Sequence, residues 1–475
     1  MSHTGTGSGT IRSVVERYLD FNEKCSAAFV LYPQVEPLRR FIFRRLLVQR
    51  GADGLKHHVK HWLRPLVRRA HTPLPDRADV LIWLESEREV IVNALLPVYR
   101  ELVARDVRVE LVSSGGPRNL PVPSRRFQFP ARAQVPGWAR AAWEALCECE
   151  EGLRGRALER SFGHVCAMLQ GQYDEMHRVL EAATPRVVLC ASTTQVGGAA
   201  LMVAARHRSI SPLVLQHGML GSGYLPLMTD SLLIWGPSSE EIMVSYGVPR
   251  AKLLTVGSPR HDSMKPSGSG QARATLLRAL GLPERPTFAF FSQGDDLVAT
   301  GDAPVECARW LEETAAQYGS ALNVVVRLHP NEDGALYRRC PHLTVMSKAV
   351  DLEIVLDGCD WVGSIYSTVL YDALLYGKRA LQFSADHWPP FPPFNLGQEL
   401  ALRVSSQRHL SEMVGHLLSQ GAAGGVDKTL VARVFANHGR AAQAVADAVV
   451  SRLRPPPVSG PASGNLREQW RVTGA

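Results

Sequence analysis

Residues 78–114, "ADVLIWLESEREVIVNALLPVYRELVARDVRVELVSS", decide the fold. The run "ADVLIWLES" (78–86) is short and almost wholly apolar, as a buried strand is. "EREVIVNALLPVYRELVARD" then repeats apolar residues at helical spacing, and "VRVELVSS" (107–114) returns to a short apolar run. Two strands joined by a helix of this length must lie parallel, because only a crossover connection bridges them in that way. A parallel sheet is covered on both faces, so the unit predicts more strands and more helices on either side.

The chain supplies them. A mostly helical stretch covers roughly 135–183. Strands are expected at "PRVVLCAS" (185–192), "PLVLQHG" (212–218), "SLLIWG" (231–236) and "KLLTVGSP" (252–259), with a helix over "TTQVGGAALMVAARHRSI". This is a doubly wound α/β domain over 71–265. The compositional break "KPSGSGQARATLLRALGLPERP" (265–286), with one short helix, reads as a connector. A second series follows over 285–430: "TFAFFSQGDD", a helix to about 318, "NVVVRLHP", "LTVMS", "DLEIVLDGCDWVGSIYS", "TVLYDALLYGK" and "RALQFS". The expected architecture is two Rossmann-like domains facing a cleft. A helix over 431–452 crosses back toward the first domain, and the proline- and glycine-rich tail 453–475 is expected to be disordered. A length of 475 residues fits two domains with extensions.

Apolar residues make up 45% of the chain and charged residues 21%, as in soluble globular proteins. No run of about 18 apolar residues occurs, which argues against a spanning helix. The polar start "MSHTGTGSGT" lacks the layout of a signal peptide, so a cytoplasmic location is expected. The eight cysteines are scattered, apart from Cys147 and Cys149, without the paired spacing of a zinc site, and free thiols are expected. Residues 36–70, in a basic helical extension over 1–70, carry ten Lys/Arg against two acids, which equals the whole net charge of +8. Phe41, Ile42, Phe43, Leu46, Leu47, Trp62 and Leu63 interleave with those arginines, so the segment is expected to meet an anionic membrane surface peripherally. A helical extension packed on the body is the plainer alternative. Nucleic acid is not expected as a partner.

In open α/β sheets, ligands bind beyond the carboxyl ends of the strands. The residues leaving those ends are Gln216-His217-Gly218 in the first domain, and Ser292-Gln293-Gly294, His329-Pro330 and Ser364 through Thr368 in the second. Ser367 and Thr368 open a helix, where unsatisfied N–H groups and the helix dipole favour a phosphate. Asp372, one turn on, is placed to reach ribose hydroxyls, and His329 to hydrogen-bond or protonate a departing phosphate. His217, with an ordinary pKa near 6.5, is the candidate base for an acceptor hydroxyl. For each of these a structural role is the plainer alternative: a helix cap, a strand-end histidine, a histidine under a glycine turn. Asp295-Asp296 is too weak a pair to argue for a metal, and no metal or cofactor is expected.

The quoted stretches "LQHG", "YGVP", "LLTVGSPRHD", "RLHP" and "DLEIVLDGCDWVGSIYSTVLYDALLYGKRALQF" together resemble the GT-B glycosyltransferase-type enzymes of bacterial surface polymers. The pattern is similar to the CDP-glycerol glycerophosphotransferases and to CMP-sugar-using capsule transferases, over about 185–385 and more loosely over 78–114. The resemblance implies donor-phosphate contacts from His329, Ser367 and Thr368, and His217 as base; the strand-exit reading adds Ser292, Gln293, Ser364 and Asp372 around the nucleotide. Ile365 stands where the glycerophosphotransferases carry an Asp, which argues against a polyol-phosphate donor. It further implies transfer of a sugar from a CMP-, CDP- or UDP-linked donor to a surface glycan or lipid-linked acceptor, without metal. The alternatives are a UDP-N-acetylglucosamine 2-epimerase-like enzyme and a non-catalytic glycan-assembly factor of the same fold.

Overall fold

The computed structural model describes residues 14–48, 72–85, 88–113, 120–128, 134–193, 196–221, 224–268, 270–293, 302–329, 332–346, 350–388, 400–420, 426 and 428–453. The first sheet contains β1 (Val80–Leu84), β2 (Val109–Ser113), β3 (Arg125–Arg126), β4 (Val187–Cys190), β5 (Ser211–Leu215), β6 (Ser231–Ile234) and β7 (Leu253–Thr255). The second contains β8 (Thr287–Phe291), β9 (Asn323–Arg327), β10 (Thr344–Met346), β11 (Trp361–Ser364), β12 (Arg379–Phe383) and β13 (Ala401–Val404). Their orders are β3-β2-β1-β4-β5-β6-β7 and β10-β9-β8-β11-β12-β13, and every pairing is parallel. Both sheets therefore reverse direction of growth once, between β1 and β4 and between β8 and β11. A crevice opens at each reversal, on the carboxyl side of the strands.

Strand alternation explains the layers. Val80, Ile82 and Leu84 of β1 point into one core and Leu81 and Trp83 into the other. Phe288 and Phe290 of β8 lie on one face of the second sheet, Ala289 and Phe291 on the opposite face. All five residues of each strand are buried, as a sheet packed on both sides requires.

The mostly helical stretch over 135–183 is two helices, Trp138–Cys149 and Arg156–Ala183. Three elements depart from the sequence expectation. Strand β3 is two residues long, and β13 follows the proline-rich run "PPFPPF" (389–394), so neither carries a readable period. The crossing helix is likewise two, Lys428–Val434 and Ala441–Leu453. The second does return to the first domain, burying Val445, Ala446 and Val449 among Val80, Leu95 and Val256. The chain passes so close to the first domain on its way that a Cβ on Gly257, at φ +93°, would sit 2.1 Å from the Ala436 carbonyl oxygen.

Part of the basic extension is packed on the body. Val14–Lys24 and Ser26–Leu31 are helices, and helical turns continue to Val48. Ile42, Phe43 and Leu46 are buried in the first domain's core with Tyr18, Phe21 and Phe29, so they do not form a surface that dips into lipid. Burying them here removes the same apolar area from water. Residues 49–71, including Trp62 and Leu63, lie outside the described residues, as does the tail 454–475. Among the described residues no helix is long and apolar enough to cross a membrane.

Candidate active site

The first crevice is built where β1, β4 and β5 end. Leaving β5, Gln216 is held tightly: its side-chain oxygen accepts from the Trp235 N–H at 2.8 Å, and its amide donates to the Gly218 carbonyl at 3.0 Å. Gln216 thus shapes the turn and His217 is what the turn presents. The His217 Nδ1 lies against the carbonyl oxygen of Ala191, just past β4, and 3.0 Å from the Tyr224 hydroxyl. A carbonyl only accepts, so Nδ1 carries the ring hydrogen and donates it. Nε2 is left with the lone pair. Burial, with further help from Arg260 and Arg88, lowers the imidazole to about 4, so the ring is neutral at neutral pH.

Glu85 closes the floor of this crevice just past β1. It is 5% exposed, and burial pushes its carboxyl up to about 8, offset in part by the backbone N–H groups of Glu85 and Ala191. The carboxyl is therefore protonated at neutral pH. The start of the helix Val196–His207 comes so near that a Cβ on Gly198 would lie 2.1 Å from the Ser192 carbonyl oxygen, and only glycine allows that approach.

The second crevice is a network of hydroxyl, amide and backbone groups around one carboxylate, Glu332. The Ser292 hydroxyl donates to the Glu332 carboxylate. The His329 backbone N–H donates to Ser292 Oγ at 2.9 Å and to Glu332 at 3.1 Å. The Gln293 amide donates to Ser364 Oγ at 3.0 Å, and Ser364 donates to the Phe291 carbonyl at 2.9 Å. Ser292, Gln293 and Ser364 thus tie together the ends of β8, β9 and β11, and Ser364 is wholly buried. The half-buried His329 ring, Ser367 and Thr368 are the candidates nearer the surface. Ser367 and Thr368 precede the helix Val369–Leu375, and the Val369 N–H lies 3.4 Å from Ser367 Oγ. A Cβ on Gly218 would be 3.9 Å from Thr368 Cγ2, which sets the His217 turn directly opposite this helix start.

Asp372 corrects an expectation. Its carboxylate is 2% exposed and does not open to the cleft. Arg260, from the first domain, spans its two oxygens at 2.9 and 3.2 Å, and His261 Nε2 donates to it at 2.8 Å. Burial pushes the Asp372 carboxyl up, but Arg260 and His261 outweigh it and leave the group below the ordinary carboxylate value. Asp262 continues the join by accepting from the Ala441 and Ala442 N–H groups, each at 2.9 Å. Trp235 and Phe435 pack on His261, and Tyr371 packs on Trp235, sealing the seam. Three consecutive residues, Arg260-His261-Asp262, therefore fasten the first domain to two parts of the second half. Tyr224 went unmarked because a tyrosine inside a glycine-containing loop has no pattern around it.

Among the described residues no group of three His, Cys, Asp or Glu side chains is placed to hold a metal. Asp295 and Asp296 lie outside the described residues.

No protein-family model matches the sequence, and no curated protein matches it significantly. Solved structures do match. A UDP-GlcNAc 2-epimerase from Neisseria meningitidis bound to UDP-GlcNAc is 13% identical with a TM-score of 0.52, covering 78% of this chain and 99% of its own. A UDP-GlcNAc 2-epimerase from Methanocaldococcus jannaschii is 11% identical, also at 0.52, with the same coverage. A wall teichoic acid polymerase, TagF, is 12% identical at 0.45, covering 80% and 89%. The likeness to the two epimerases shows the fold: two Rossmann-like domains across a cleft, in the GT-B arrangement.

Proposed function

We propose that this protein is a metal-independent glycosyltransferase of the GT-B kind. It moves a sugar from a nucleotide-linked donor to a hydroxyl of a bacterial surface glycan or lipid-linked acceptor. The observation that carries the reading is His217: a neutral imidazole at a strand end, its Nδ1 hydrogen committed to Ala191 and its Nε2 lone pair uncommitted by that bond, on a turn whose Gly218 faces Thr368. The acceptor hydroxyl attacks the anomeric carbon and gives its proton to Nε2. The bond from that carbon to the phosphate oxygen breaks, and its electron pair leaves with the nucleotide. His329, Ser367, Thr368 and the adjoining N–H groups stabilise that developing charge. Donor phosphates placed there also bring negative charge toward His217, which raises its proton affinity when the donor is bound.

A second reading, a 2-epimerase acting on a nucleotide sugar, is favoured by Glu85. A protonated carboxyl beside a neutral imidazole is the acid and base pair that proton exchange at a sugar carbon needs. Incubating the protein with CMP-, CDP-, UDP- and GDP-sugars, with and without glycan acceptor, separates the two. Free nucleotide and extended glycan, formed only with acceptor, is the expected result. A changed sugar without acceptor selects the epimerase. No product in either case points to a binding factor.

A further inference from the structure

The extension buried against the first domain reaches the loop that carries His217. Tyr18, 6% exposed, donates its hydroxyl to the Leu225 carbonyl at 3.0 Å across 207 residues of sequence. The next residue back, Tyr224, is the one whose hydroxyl touches His217. Leu220, Tyr224 and Met228 of that loop share one apolar core with Tyr18, Phe21, Ile42 and Phe43. The extension is itself held in place. Glu36 pairs with Arg206 at 2.6 Å on the helix that starts beside the crevice, and the Tyr173 hydroxyl donates to the Gln34 carbonyl at 3.2 Å. The Tyr18 ring stands 5.2 Å from that of Phe43.

We propose that the N-terminal extension is part of the transfer site, with Tyr18 as a positioning residue for His217. This rests on the transferase reading for its consequence in turnover, but the positioning itself does not. Tyr18 pins Leu225, which fixes Tyr224 against Nδ1, which in turn aims Nε2 at the acceptor. The groups facing His217 are Tyr224 from the loop, Arg88 at the start of the helix Glu89–Val103, and Arg260 from the seam, with Glu85 beside Tyr224.

The test is Tyr18→Phe in the full chain, read three ways. The His217 imidazole is titrated by NMR, assigned by its loss in His217→Ala. Turnover is measured with the active nucleotide sugar, and nucleotide affinity by calorimetry with CMP, CDP, UDP and GDP. Loss of the hydroxyl loosens the loop and admits water, so the imidazole pKa rises from about 4 toward the ordinary value near 6.5. Turnover falls on the order of tenfold, the worth of one buried hydrogen bond, and nucleotide affinity stays the same. Phe43→Leu loosens the Tyr18 ring while leaving its hydroxyl in place, and shifts the imidazole in the same direction should Tyr18→Phe not fold. An unmoved imidazole titration in a folded variant overturns the proposal, whatever happens to turnover. A moved titration with His217→Ala still fully active leaves the contact chain to the imidazole intact and moves the base of the proposed reaction elsewhere, which overturns the role of Tyr18 in turnover.

Discussion

The two crevices share one topology and are furnished in opposite ways. Where β1, β4 and β5 end, the first holds a desolvated imidazole, a buried carboxyl and a tyrosine hydroxyl in contact with one another's neighbours. Where β8, β9 and β11 end, the second holds two serine hydroxyls, an amide and a backbone N–H satisfied among themselves, with one carboxylate, Glu332. Strand order determines where a ligand is met. The side chains at the strand ends decide whether protons are moved there or charge is held. Under the proposed function the first crevice moves a proton and the second receives the donor phosphate.

The largest expected effect is on the first crevice. His217→Ala lowers turnover by about 10²–10⁴-fold, the usual worth of a general base, in a steady-state transfer assay. Near-normal turnover would move the base elsewhere, with Glu85 next in line. The seam between the crevices comes second. Asp372→Ala leaves Arg260 buried without its partner and lowers stability by about 3–5 kcal/mol in chemical denaturation. A loss under 1 kcal/mol would mean that the domains are joined by apolar packing alone.

On the second crevice, replacing Ser367 and Thr368 together by Ala weakens nucleotide binding by about 1–3 kcal/mol, the range for hydrogen bonds to a charged group. The smallest effect is a displacement of the pH profile. The neutral imidazole is the active form, and burial holds its pKa at about 4, so kcat/KM is lost only as pH falls through about 4. Bound donor raises that pKa, so the acidic limb of kcat lies at higher pH than that of kcat/KM. Limbs that coincide near 6.5 would mean that His217 is hydrated in solution and the crevice is open.

Most of the fold was legible because strands buried on both faces leave continuous apolar runs, as "VLIWL" and "TFAFF" do. Strand β3 was not, being two residues long, nor was β13, hidden behind prolines. The site was legible as far as strand exits and glycines mark it, which brought out His217 and the Thr368 turn. The partners of those residues were hidden by distance along the chain. Asp372 looks like a ligand residue on its own helix, and nothing local shows that Arg260, 112 residues away, occupies it. The protein cover over Ile42, Phe43 and Leu46 was hidden for a related reason: apolar residues at helical spacing look the same whether lipid or protein covers them.

The central claim is that the crevices divide the work, and calorimetric titration of CMP, CDP, UDP and GDP into three proteins tests it most directly. These are the wild type, His217→Ala, and Ser367→Ala with Thr368→Ala. The account predicts that one nucleotide binds the wild type and His217→Ala with the same affinity and binds the double variant about tenfold or more weaker. Loss of nucleotide binding in His217→Ala, with the double variant unaffected, would place the nucleotide in the first crevice and contradict it.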